Sequence, residues 1–575
     1  MVKKKINTTS ETKTEPTKKV RRNFVFNIIY QALVVLTPLI TAPYLARVLG
    51  ANNIGQFSFA YTIVCYFVIF AYIGFQQYAQ RAIAEVQGNK IEQSRRFWQI
   101  VIIRLFTVTF SLGVLFILYA VNAFGEYSSL ILVFSILIGA TAFDINFYFH
   151  GKENFFVVMI INLVIRFIYL AAIFLLIRSP SDLGMYALLY SLMVVGGYLS
   201  MWALLPRHLV KTKLHGLNFK KHFLSSLFLF LPVAAVSIYA LLDKTLIGLL
   251  IHGQQYYLQG NAIITASIAE VENGYYFQAD RIVKALLSIL LAFGTVMTTR
   301  NAIEYKHRRY GEVKKNVYRS FRFVFALGIP MLFGTIIVAN SFVPLYFGSN
   351  YSVYPQYPID GVASLLMLYA PVILLSGCSN VLGSQYLLPT KQDKKYSSSV
   401  LIGFALNIVF NSVLIPMMGA AGAVIGTLIS ELEIVLIQYL YVCDDISLGV
   451  IFMNVWKYIL AGALMFAILF PLDTFLLQTS KTGNIVNLAI LIPTGVGLYY
   501  LILLALRDHD IFKYTKLFFV GTGHFFKNAA NRVVVQRASL AVTISSASHF
   551  ENIGKREPAD NYSKIKSKED DGEEE

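Results

Sequence analysis

Five basic side chains stand in stretches apolar enough to dissolve in lipid: Arg47, Arg166, Lys244, Arg281 and Lys284. At the centre of a membrane-spanning helix each charge costs roughly 2.5–3.5 kcal/mol, so such residues face the interior of a bundle or a water-filled cavity. Arg166 is the deepest of them, midway along its run and too far from either end to snorkel. A cavity walled by several cations and few acids suits an anionic ligand.

The acids near these cations have two readings each. Asp243 directly precedes Lys244, and adjacent helical residues point about 100° apart, so Asp243 is expected to bond a neighbouring span instead. Asp280 precedes Lys284 by one helical turn, which leaves Lys284 either paired within its own helix or available to a ligand. Asp144 lies at the depth of Arg104, and a structural ion pair between them is expected. Asp144, Asp243 and Glu431 are the candidates for ion coupling, each with a structural hydrogen bond as the alternative. No cofactor or metal site is expected. Cys65, Cys378 and Cys443 are too scattered for a zinc site or a disulfide framework. No G-x-x-x-x-G-K-[ST] phosphate loop occurs, so any work done through the cavity draws on an ion gradient or the membrane potential, with the ion left open.

The elements that must position these residues are membrane helices. The chain is 56% hydrophobic and 14% charged, far below the quarter that soluble domains carry. Apolar runs of about 20 residues, each long enough to cross a bilayer, recur near 23–46, 56–75, 97–122, 128–148, 155–177, 183–205, 223–250, 274–298, 323–346, 361–388, 397–418, 419–442, 454–475 and 484–505. The expectation is an all-α polytopic membrane protein of about fourteen spans. The net charge of +17 does not imply nucleic acid, because its lysines and arginines fall in short clusters between apolar runs. Lys90, Arg95, Arg96, Arg207, Lys220, Arg308, Arg309, Lys314, Lys391 and Lys394 fall between runs on one side; the other holds little more than Arg47, Arg178 and Lys481. The positive-inside rule then puts both termini in the cytoplasm. Residues 1–22 and 506–575 read as polar tails, the second interfacial and then disordered, and no cleavable signal peptide is evident.

The chain also resembles itself. "NIGQFSFAYTIV" from Asn53 and "ENGYYFQADRIV" from Glu272 share the frame G-x-[FY]-x-x-A-x-x-I-V, with Gly55 matching Gly274 and Ala60 matching Ala279. Upstream, "YLARVLG" and "LLDKTLIG" bring Arg47 close to Lys244. The match relates spans one and two to seven and eight. That offset predicts a parallel repeat: an N-lobe over 23–205, a basic linker over 206–222, a C-lobe over 223–442 and two added helices over 454–505. Residues 251–272 form an extended outer loop whose Glu270 and Glu272 read as solvated acids.

On "NFVFNIIYQALVVLTPLITAPYLARVLGANNIGQFSF", "DINFYFHGKENF", "SIYALLDKTLIG" with "GYYFQADRIVK", and "GCSNVLGSQYLLPTKQDKKY" leading to "NIVFNSVLIPMMGAAGAVIGTLISE", the chain resembles a Wzx-type flippase of the multidrug/oligosaccharidyl-lipid/polysaccharide exporter superfamily. The resemblance implies fourteen helices in two lobes and a bacterial cytoplasmic-membrane location. It implies transfer of undecaprenyl-pyrophosphate-linked oligosaccharide to the outer leaflet for capsule, exopolysaccharide or O-antigen synthesis. Its implied partners are that lipid-linked substrate, membrane lipids, a polysaccharide polymerase and other assembly proteins. The eighth span departs from the family in ending "GTVMTTR" without a proline. The competing readings are a cation-coupled drug exporter of the same superfamily and, further off, a membrane polymerase or glycosyltransferase.

Overall fold

The computed structural model describes residues 15–86, 88–152, 154–205, 209–210, 219–259, 262–348, 351, 357, 361–476 and 481–508. The described residues up to 501 form one compact unit, and those from 502 a second. The expected linker 206–222 and the two tails fall largely outside the described residues.

The chain opens with α1 (Glu15–Tyr72), which is two helices joined at Gly50. Gly50 has φ 78° and ψ 171°, a conformation costly for any residue with a side chain, and it turns the first span directly into the second. This helix starts inside the segment expected to be a tail, with Pro16 in its first turn, where a missing N–H interrupts no bond. There follow α2 (Phe75–Ala84), α3 (Lys90–Ala120), α4 (Ser128–Thr141), α5 (Asn146–Gly151), α6 (Phe155–Leu176) and α7 (Leu183–Trp202). Phe57 of α1 stacks on Tyr186 of α7 with ring centroids 4.4 Å apart and meets Phe134 of α4 edge-on at 5.1 Å. The outward face of α3 presents Phe106, Phe110 and Ile117, all more than 60% exposed, as expected of a surface solvated by lipid.

The second half comprises α8 (Phe219–Leu250), α9 (Ile268–Lys306), α10 (Tyr310–Tyr346), α11 (Val362–Tyr369), α12 (Pro371–Ser379), a π-helical stretch at Asn380–Leu387, α13 (Asp393–Met418), α14 (Ala420–Val442), α15 (Leu448–Leu476) and α16 (Lys481–Ala505). Most expected spans fall within a single helix, but 128–148 is divided between α4 and α5, and 361–388 among α11, α12 and the π-helical stretch. Twelve helices among the described residues have the length and composition to cross a bilayer, Ala32–Tyr72 counting as one. The count of fourteen is the sequence expectation.

The long loop after α8 is the departure from an all-α chain. Strands β1 (Gln254–Gln259) and β2 (Ala262–Ser267) pair antiparallel, Gln254 opposite Ser267, and β2 runs directly into α9. Glu270 therefore sits in the first turn of α9 and Glu272 just beyond it, and both are buried rather than solvated. Glu270 accepts hydrogen bonds from Gln56 (3.1 Å) and Tyr127 (3.0 Å) of the first half. Glu272 accepts from the backbone N–H of Ala420 (2.7 Å), one of the donors left over at the start of α14.

Candidate functional site

A cavity of about 360 Å³ opens where the two halves face each other. The first half contributes Pro38, Phe57 and Tyr61 from α1, Arg166 and Tyr169 from α6, and Tyr186 and Tyr190 from α7. The second contributes Lys244 from α8 and Phe277, Asp280, Arg281 and Lys284 from α9. Four of the five sequence-marked cations thus share one space with a single acid.

Asp280 organises the second-half wall. Its carboxylate is 2.8 Å from Lys244 Nζ and 2.9 Å from Lys284 Nζ. It also accepts a hydrogen bond from Tyr369 of α11 at 3.2 Å. The i, i+4 pairing of Asp280 with Lys284 does form, yet it is half of the arrangement, because Lys244 arrives from another helix. Lys244 and Arg281 both lie over the ring of Phe277, at 5.2 Å and 4.6 Å. On the opposite wall Tyr61 and Tyr190 pair through their hydroxyls at 3.3 Å, and the Tyr186 hydroxyl oxygen accepts from Arg281. Arg281 Nη1 and Arg166 Nε are buried without a partner among the described residues. Unsatisfied N–H groups at such a place are donors that a bound anion would complete.

Arg47, the fifth cation, does not line this cavity. It is exposed and donates to the carbonyl of Leu345 in the last turn of α10. The reason is local. Arg47 lies just before the Gly50 turn, within reach of a helix end whose carbonyls have no intrahelical donor and whose dipole favours a cation. Its kinship with Lys244 is one of sequence only.

The expected ion pair between Arg104 and Asp144 is replaced by a bond to the main chain. Arg104 Nη1 donates to the backbone carbonyl of Asp144, and its guanidinium lies over the rings of Tyr72 and Phe147 at 5.4 and 5.0 Å. The Asp144 carboxylate accepts instead from Tyr72 (2.8 Å) and the N–H of Asn146 (2.9 Å). That i to i+2 bond closes a turn between α4 and α5, a structural task.

Asp243 points away from Lys244 into the second half. It accepts from Tyr276, from Asn411 Nδ2 (2.7 Å) and from Thr427 (2.8 Å), neutral groups on α9, α13 and α14. Asn411 Oδ1 is buried beside it with no partner. A carboxylate and a free carbonyl oxygen together suit a hard monovalent cation or a proton. Glu431 lies further along α14, its nearest phenol Tyr239 at 3.5 Å. Among the described residues no cluster of three His, Cys, Asp or Glu could ligate a metal.

Behind the cavity, across α9, runs an apolar groove of about 320 Å³ between α9, α10, α15 and α16, lined by Ile282, Leu286, Met331, Val338, Met465 and Leu491 among others. One helix therefore presents Asp280, Arg281 and Lys284 to a polar cavity and Ile282 and Leu286 to an oily one. Sequence reasoning missed the groove and the tyrosine wall. Tyr186 and Tyr190, one turn apart on α7, carried the signal for the latter.

Residues 20–298 match the model of a family described as polysaccharide biosynthesis proteins. A protein of Escherichia coli K12 assigned as an O-antigen transporter is 21% identical over 431 residues, 74% of this chain and 97% of that protein. The fold is that of a solved lipid II flippase, MurJ, in an inward closed conformation: TM-score 0.64 at 12% identity, over 84% of this chain and all of that one. An inward-facing multidrug transporter of the multidrug/oligosaccharidyl-lipid/polysaccharide exporter superfamily follows, with TM-score 0.53 and 14% identity over 76% of this chain and 98% of that one. By sequence the chain is similar to transporters of polysaccharide assembly, and it shares its fold with this exporter superfamily. Both comparisons of sequence agree with the Wzx-type resemblance carried by the motifs.

Proposed function

We propose that this protein flips undecaprenyl-pyrophosphate-linked oligosaccharide from the inner to the outer leaflet of the bacterial cytoplasmic membrane, with both termini cytoplasmic. The observation that carries the proposal is the two-faced helix α9. An amphiphile with a pyrophosphate head and a prenyl tail needs cations and an apolar track side by side, and α9 divides the two. Arg166, Lys244, Arg281 and Lys284 hold the pyrophosphate and acidic sugars by charge-assisted hydrogen bonds, while the lipid chain lies in the groove or the adjoining bilayer. The lobes then rock to expose the cavity on the other side. A cationic drug would be repelled by four cations against one acid, which sets the drug-exporter reading aside.

Coupling is assigned to Asp243, whose partners are all neutral and whose neighbour Asn411 offers a free oxygen. Two experiments test the reading. Depletion of the protein should leave lipid-linked oligosaccharide stranded on the cytoplasmic leaflet, and wild-type outer-leaflet levels after depletion would end the proposal. Asp243→Asn should keep binding of a polyprenyl pyrophosphate while gradient-driven flipping in vesicles falls at least tenfold; unchanged flipping would remove Asp243 from coupling.

A further inference from the structure

We infer that Asp280 is a built-in counter-anion. It occupies Lys244 and Lys284 while the cavity holds no cargo and keeps the binding of a phosphorylated cargo weak enough for release. The inference rests on the flippase reading above. Asp280 is 3% exposed, and its charge meets two ammonium groups at 2.8 and 2.9 Å. Those are the distances at which a phosphate oxygen would sit on the same donors. An ordinary structural pair would match one acid with one base. Here one acid serves two bases, and two further cations, Arg166 and Arg281, share the cavity. The acid therefore lowers the positive field without cancelling it.

A transporter must let go of what it binds. Binding the ground state ever more tightly lowers KM without raising kcat. Four uncompensated cations around a pyrophosphate would make a trap. A carboxylate fixed between two of the cations repels the incoming anion, and when the cargo departs it takes back the ammonium donors. Asp280 is held in place for this from a third direction by Tyr369. Lys244 also lies over the ring of Phe277, a contact independent of the carboxylate. Asp280 is thus a positioning residue that sets the balance between capture and release.

The test uses the full-length protein in lipid nanodiscs with farnesyl pyrophosphate as the probe, and a vesicle assay of flipping. Asp280→Asn removes the charge at nearly constant shape. With like charges this close in a partly screened interior, its affinity for the probe should rise about tenfold to a hundredfold, and the gain should shrink as salt is raised. In the flipping assay KM and kcat should fall together. Asp280→Glu, which restores the charge, should return both toward wild type. A folded Asp280→Asn protein, with wild-type elution and thermal unfolding, that binds the probe equally or more weakly overturns the inference and leaves the flippase reading intact. Probe binding that survives Lys244→Ala with Arg281→Ala overturns the cavity as the cargo site, and the inference with it.

Discussion

Gly55 and Gly274 cross where the lobes meet, each lying against the backbone of the other's helix. A Cβ on Gly55 would collide with the carbonyl of Glu270, and one on Gly274 with the carbonyl of Ala51. Glu270 is the fourth residue before Gly274, and Ala51 the fourth before Gly55. The contact is therefore reciprocal, as at a two-fold interface where each partner offers the same patch. The frame that revealed the repeat is the surface on which its two copies touch.

This crossing brings the lobes together at the end of the bundle opposite the Lys- and Arg-rich loops. Gly274→Val should force the helices apart there, since backbone stands on the other side and cannot yield. Ser58, buried on the same face of α1 with no hydrogen-bond partner, reports the change. A Ser58→Cys probe should react slowly with an impermeant thiol reagent in the parent and at least tenfold faster with Gly274→Val added. Equal reactivity would show that the crossing is not what closes this end.

Arg104 is predicted to be structural. It is 1% exposed, bonded to a main-chain carbonyl and sandwiched by Tyr72 and Phe147. Arg104→Ala leaves the Asp144 carbonyl without its donor and the two rings without their filling, a loss of about 1–3 kcal/mol from the unmade hydrogen bond alone. Detergent-solubilised protein should unfold at lower temperature, while the farnesyl pyrophosphate affinity of the surviving folded fraction stays within twofold. Arg104→Lys should rescue only partly, because a compact ammonium cannot span two rings and a carbonyl as a planar guanidinium does.

Outside the membrane spans, Lys314 of α10 reaches Asp445 in the turn after α14 at 3.0 Å. The hydrogen bond from Lys314, followed by that from Tyr386, holds the Asp445 carboxyl below its ordinary value. A depressed folded-state value means that the stabilisation is complete above the unfolded value and is lost as pH falls through the folded one. The clasp should therefore stabilise above about pH 4 and fade below it. Both side chains are partly exposed, so the effect is small and salt-sensitive. The unfolding-temperature gap between wild type and Asp445→Asn should be constant from pH 5 to pH 7, close as pH drops toward 3, and narrow in high salt; a gap unchanged at pH 3 would contradict it.

What could be read from the sequence divides along physical lines. Helices were legible because lipid demands long apolar runs with satisfied backbones. The cavity cations Arg166, Lys244, Arg281 and Lys284 were legible for the converse reason, as charges that lipid forbids. Arg47 misled because a residue near a helix end has carbonyl ends within reach, and which end it meets depends on a turn as tight as Gly50. The groove stayed hidden because Ile282 and Leu286 look like any lipid-facing pair until α15 and α16 are in place. Asp280's second lysine was hidden likewise, since no spacing in sequence joins residue 244 to residue 280.

Tyr369 joins the proposed cargo site to the proposed coupling site. Its hydroxyl lies 3.2 Å from Asp280 and 3.2 Å from the hydroxyl of Tyr276, which donates to Asp243. One phenol proton cannot serve both neighbours, so Tyr369 donates either to Asp280 or toward Tyr276, and a change at one acid is felt at the other. Coupling between two ligands is a free energy that acts equally in both directions. Tyr369→Phe removes the hydroxyl and keeps the ring, at a stability cost of about 1 kcal/mol. The variant should bind farnesyl pyrophosphate normally but lose the dependence of that binding on sodium concentration or pH, whichever the wild type shows. Flipping should then slow without a change in KM. If probe affinity in Tyr369→Phe still tracks the coupling ion as in wild type, the signal between Asp280 and Asp243 travels by another route.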